Sequence, residues 1–141
     1  MKNIRFNLLL WLWSLAALCA AAAHIVLPMW TAAGTTWVPS VHWQREIACF
    51  DVALACVFIW AARQQDLTIK RNLTLLLCAL SLALGENHLE GWLQDAKLFH
   101  VIFTVANFLA VLWGGVACWH YHATNPGSAE EASHQKTVIP E

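Results

Sequence analysis

The sequence predicts an all-α protein, a bundle of four transmembrane helices with both termini in the cytoplasm, and three observations carry that expectation. Hydrophobic residues make up 59% and charged residues 12% of the 141 positions, against about 25% charged in a soluble domain. The apolar residues gather into long runs close to the length that crosses a hydrocarbon layer of about 30 Å at about 1.5 Å per residue. Basic residues concentrate before the first run (Lys2, Arg5) and in one connection (Arg63, Lys70, Arg71). The positive-inside rule assigns those segments to the cytoplasm.

The first helix is expected over 7–28. A positive start, an apolar stretch and the string Ala20 to Ala23 also describe a cleavable signal peptide. The run is long for that role, continuing through His24 to Leu27, and predicts an uncleaved helix. Pro28 and the segment Thr31 to Ser40, with Gly34 and Pro39, read as a loop. Further helices are expected over 46–63, 72–92 and 98–120, giving a membrane domain over 1–122. Trp30, Trp37, Trp43, Trp92 and Trp119 fall near the predicted ends, where an amphipathic ring suits the headgroup region. Residues 123–141 contain Asn125-Pro126-Gly127-Ser128 and adjacent glutamates, and predict a disordered cytoplasmic tail. The expected location is a bacterial inner membrane, crossed several times, with the lipid bilayer as the first partner.

A net charge of -1 and a pI near 6.6 supply no basic stripe for phosphates, which sets nucleic acid aside as a partner. Five cysteines lie inside apolar runs without a C-x-x-C pair, so neither a disulfide framework nor a zinc site is suggested. No Gly-rich phosphate loop, G-x-S-x-G or H-E-x-x-H occurs. No catalytic residue is assigned, and no metal site is expected because no two of His24, His88 and His100 share a helix at i, i+4.

Polar residues inside spans are costly and mark function. Counting from each cytoplasmic end, Asp51, Glu86 and Asn107 lie about 18, 21 and 18 Å up, near one level in the outer half. His24, Glu46, Glu90 and His100 form a second layer about 26 to 28 Å up, with Arg45 and His88 close by. Glu86 and Glu90 are four apart, and His100, Thr104 and Asn107 follow i, i+4, i+7, so each set shares a helix face. Only 13 apolar residues precede Glu86 in its helix. That is about 20 Å, too short to span the core, and it puts Glu86 within the membrane.

These residues predict an outward-facing polar pocket for a small ligand or proton. Asp51, Glu86, Asn107, His88, His100, Glu46, Arg45, His24 and Glu90 are its candidate binding residues. Two alternatives stand beside it: a redox-associated subunit working with quinone or haem, His24 and His100 being at matching depth, and a structural or assembly partner whose polar groups only fix helix register. Small residues at Ala16 to Ala23 and Gly114-Gly115 would permit a tight bundle, a membrane-protein partner or a homo-oligomer.

Gln44-Arg45-Glu46, opening an apolar helix, and Gly85-Glu86-Asn87-His88-Leu89, late in the next, resemble the DoxX-like group of small four-helix bacterial membrane proteins. The likeness covers roughly Trp43 to Trp119 in layout. Ala48, Ala53 and Ala55 stand where that group would place glycines. The resemblance implies a four-helix fold and, for some relatives, membrane redox or sulfur chemistry.

Overall fold

The computed structural model describes residues 2–36 and 38–124. Ala123 and Thr124, expected to open the tail, belong to the last helix; residues 125–141 of the expected tail and Trp37 lie outside the described residues. The chain is all-helical, with no strand among the described residues. Its elements are α1 (Lys2–Val26), α2 (Pro28–Ala33), α3 (Val41–Arg63), α4 (Leu67–Gln94) and α5 (Leu98–Thr124). Three helices are long and apolar enough to cross a membrane: Ile4–Val26, Leu67–Gln94 and Leu98–Ala123. α3 has 23 residues and is comparable in length, but Arg45, Glu46, Asp51 and Arg63 break its apolar run.

Caps account for where the helices differ from the expected bounds. α3 starts at Val41 rather than 46 because Ser40 is its N-cap and accepts a hydrogen bond from the Trp43 amide at 3.4 Å. α4 starts at Leu67 rather than 72 because the Asp66 carboxylate accepts from the Thr68 amide at 2.7 Å. Lys70 and Arg71, expected in a loop, therefore belong to a helix. Lys70 is buried, and its ammonium donates to Asn7 Oδ1 at 2.5 Å. Within the expected first loop, Pro28 opens α2 at a position where a missing amide hydrogen costs nothing.

The long helices pair as two antiparallel hairpins, α1 with α3 and α4 with α5. The hairpins meet near the α3–α4 connection, through an apolar core of Leu9, Leu10, Phe58, Ala61, Ala62 and Leu77. Phe6, Ala117, Cys118 and Tyr121 form a second cluster there, with the Phe6 and Tyr121 rings edge to face at 6.4 Å. The opposite end is built differently. Its buried side chains include Thr31, Gln44, His88, His100, Thr104 and Asn107. Large apolar residues such as Leu15, Phe50, Trp60, Leu76, Leu109 and Leu112 instead cover the outside. An apolar exterior around a partly polar interior suits lipid as the solvent, where helices associate through close packing and hydrogen bonds.

Close packing is most evident along α4 and α5. The buried stripe of α4 is Lys70, Thr74, Leu77, Ser81, Gly85, His88 and Gly91, steps of three and four that trace one helix face. A Cβ on Gly91 would stand 2.4 Å from the His100 ring. Only glycine permits that approach.

Candidate functional site

The polar end is organised by the connection from α1 to α3, whose residues 27–36 fold over the interior. Thr31 on α2 donates its hydroxyl to Gln44 Oε1 at 2.8 Å, and the same oxygen bonds His24 Nδ1. With Gln44 Oε1 accepting, His24 carries its hydrogen on Nδ1. Farther along, the Phe99 amide donates to the Gly34 carbonyl at 3.3 Å. The Phe99 ring meets Trp30 edge to face at 4.7 Å. A side chain at Gly34 would collide with Phe99, since an ideal Cβ lies 2.0 Å from its ring. The connection thus seats directly on the start of α5.

Beneath it lies a pair of imidazoles. The Thr36 amide donates to His100 Nε2 at 2.9 Å, and the Thr36 hydroxyl lies 3.0 Å from the same nitrogen. His100 Nδ1 is 3.1 Å from His88 Nδ1. Both rings are buried, and Phe103 packs against His88 at 5.1 Å between centroids. This pattern assigns the tautomers. His100 Nε2 accepts from an amide and so carries no hydrogen, which puts the ring hydrogen on Nδ1. That hydrogen is donated to His88 Nδ1, leaving the His88 hydrogen on Nε2. A directional line of hydrogen bonds therefore runs from exposed Thr36 through His100 to His88.

Below the imidazoles, Thr104 and Asn107 continue the buried face of α5. Asn107 Nδ2 donates to the Phe103 carbonyl at 2.8 Å, but its Oδ1 has no partner among the described residues. Asp51 is half-buried on α3; its Oδ2 is enclosed and likewise unpartnered among the described residues. His24 lies within electrostatic range of it.

The remaining expected residues lie elsewhere. Glu86 and Glu90 do share a face of α4, as their spacing requires, but it is the exposed face. Glu86 follows the buried Gly85 by one residue, a rotation of about 100° that turns it away from α5. Glu90 accepts a hydrogen bond from Gln94 at 3.3 Å on that outer surface. Arg45 is exposed, and Glu46 faces His42 at 3.0 Å across one turn of α3. These two line a shallow surface groove with Cys49 and Phe50. The structure thus brings together His88, His100 and Asn107, sets His24 and Asp51 on the neighbouring hairpin, and leaves Arg45, Glu46, Glu86 and Glu90 outside.

Residues that the sequence did not single out complete the polar end: Gln44, Thr31, Thr36 and Ser81. Position offered a signal for Gln44, which opens the helix seven residues before Asp51 on the same face. Thr31 and Thr36 carry no such signal, because they act through a connection whose path is set by packing.

Haem held between His24 and His100 does not fit this arrangement. Both ring nitrogens of His100 are engaged, one by Thr36 and the other by His88, so no lone pair is left for an iron. Among the described residues no three His, Cys, Asp or Glu side chains gather as a metal site. No family model, curated protein or solved structure matches this chain.

Proposed function

We propose that this chain is a four-span protein of a bacterial inner membrane, with both termini cytoplasmic, that takes up a proton or a small polar ligand from the non-cytoplasmic side. The observation that carries this reading is the hydrogen-bonded line Thr36–His100–His88, which leads from the surface into the interior. Uptake requires His100 Nε2 to exchange the Thr36 amide for a proton passed through the Thr36 hydroxyl 3.0 Å away, while the Nδ1 hydrogen moves to His88 Nδ1 and leaves the charge on His88. Imidazole suits this because its ordinary pKa lies near physiological pH. The lines Thr36–His100–His88 and Thr31–Gln44–His24 both close against one connection, so a ligand entering there meets several polar groups at once. The seal formed deeper by Leu10, Phe58 and Leu77 favours binding from one side over passage through the molecule.

Orientation rests on Lys2, Arg5, Arg63, Lys70 and Arg71, all toward the same end. The likeness to DoxX-like proteins supports the same layout. Its two short motifs contribute Gln44 and His88, both buried at the polar end.

Ring-nitrogen NMR of histidine-labelled protein in nanodiscs tests the reading. Acidification should move the His88 and His100 signals together in the intact protein, and His88→Leu should uncouple them. If both rings hold one tautomer across the accessible pH range and small polar solutes leave the signals unmoved, uptake at this site is refuted. The polar groups then only lock helix register, as in an assembly partner.

A further inference from the structure

One long face of α3 is left uncovered. The buried side of this helix, with Gln44, Ala48, Ala55 and Phe58, packs chiefly on α1 and, at the apolar end, on α4. The opposite side carries Cys49, Ala53 and Cys56, all exposed and spaced i, i+4, i+7, so that small side chains line up along one face. Arg45 and Glu46 stand near the head of that line. Being adjacent in sequence they are rotated by about 100°, which sets them about 50° to either side of it.

Lipid is a poor cover for this face. Arg45 has no ion-pair partner among the described residues, and Glu46 meets only His42, one turn back on its own helix, at 3.0 Å. Both charges line the shallow groove beside Cys49 and Phe50, which holds about 440 Å³. A charged side chain turned toward hydrocarbon is costly unless a polar group or another protein surface meets it. The groove on the outside of α5 differs in this respect. It is lined by Leu112, Gly115, Val116 and Trp119 down to His120, with neither a carboxylate nor a guanidinium, and lipid suits it.

We infer that this face of α3 binds the same face of a second copy of the chain, the two α3 helices running side by side about a two-fold axis along the membrane normal. The charge pattern selects this occupant. In a parallel pair related by a two-fold axis, side chains that flank the seam on opposite sides of one helix meet across it, as charges do across a parallel coiled coil. Arg45 of each copy then faces Glu46 of the other, at matching depth because both copies cross the bilayer in one direction. Between these flanks Cys49, Ala53 and Cys56 let the backbones approach, as small side chains do between helices in lipid. Pairing of this kind rests on the four-span reading, in which α3 crosses the bilayer; the imidazole pair lies on the other hairpin and takes no part.

Cross-linking of the full chain in membranes, with copper phenanthroline as the oxidant, tests the pairing. Each variant keeps Cys78 and Cys118 and retains one of the three exposed cysteines, Cys19, Cys49 or Cys56. Cys49 and Cys56 should each give a disulfide-linked dimer, which needs Cα atoms within about 7 Å, and Cys19 on α1 should give none. Energy transfer between copies with fluorescent proteins fused after Glu141 then reports association as the lipid-to-protein ratio rises. Arg45→Glu and Glu46→Arg should each weaken association about ten-fold, and the two changes together should restore it. Linkage through Cys19 in place of Cys49 and Cys56, or energy transfer no greater than that of an unrelated membrane protein at equal density, would overturn the proposal. Single charge variants that associate as the parent does, or a double variant that is not restored, would overturn it equally. Failure of the four-span reading shows separately, in the sidedness of reporters fused at Glu141 and after Asp95.

Discussion

His88 and His100 face each other through like atoms, Nδ1 to Nδ1 at 3.1 Å, and one hydrogen serves both. The Thr36 amide decides which ring owns it. By occupying His100 Nε2, that amide forces the hydrogen onto His100 Nδ1, and His88 becomes the acceptor. A backbone group near the surface thereby sets the protonation pattern of a ring in the interior.

The tautomers themselves are the first prediction. Ring-nitrogen shifts at neutral pH should report a hydrogen on Nδ1 of His100 and on Nε2 of His88. The opposite assignment would mean that the Thr36 amide does not engage His100.

Removing His100 should be severe. His100→Ala strips partners from the Thr36 amide and His88 Nδ1 in a buried setting, where each unmet group costs about 1–3 kcal/mol. A total loss of about 3 kcal/mol is expected, measured by reversible unfolding in mixed micelles. A loss below 1 kcal/mol would show the pair to be solvated.

Two glycines should respond oppositely to alanine. At Gly91 the added methyl runs into the His100 ring, so the midpoint should fall. At Gly115 nothing lies within 4 Å, and replacement should be neutral or raise helix stability by up to about 1 kcal/mol. Equal responses would refute the packing of α4 on α5.

Glu86 separates the sequence-based expectation from the structural placement. It is exposed on the face of α4 turned away from α5, so Glu86→Gln removes no interior contact and should leave stability unchanged or raise it, a lipid-facing charge being costly. Histidine titration in the same variant should match the parent protein. A shift in the titration of His88 or His100 would bring Glu86 back into the site.

Topology is checked by fusion reporters. One joined at Glu141 should be active only in the cytoplasm, and one joined after Asp95 only outside it. Reversed activities would sink the orientation argued from the basic residues.

Much of this molecule was legible in the amino-acid sequence. Apolar runs of membrane length announced the helices, because lipid tolerates no unsatisfied backbone and a helix satisfies its own. Depth counting predicted that one half would be polar, and His88, His100, Asn107 and part of Asp51 are buried there. Helix starts were less legible: Ser40 and Asp66 act through single capping bonds, and charged first turns hide the periodicity that follows.

What the sequence determined by itself was composition along each helix and depth, since rise per residue is fixed. What only tertiary structure decided was direction around each helix. Glu86 and His88 are two residues apart and equally polar to any depth count, yet one faces outward and the other meets His100. The choice was made by Gly85 and Gly91, whose missing side chains let α5 approach on their face. The imidazole line likewise needed Thr36, placed by a connection that carries no helical period to read. Periodicity fixes which residues share a face; packing between helices fixes which face is inside.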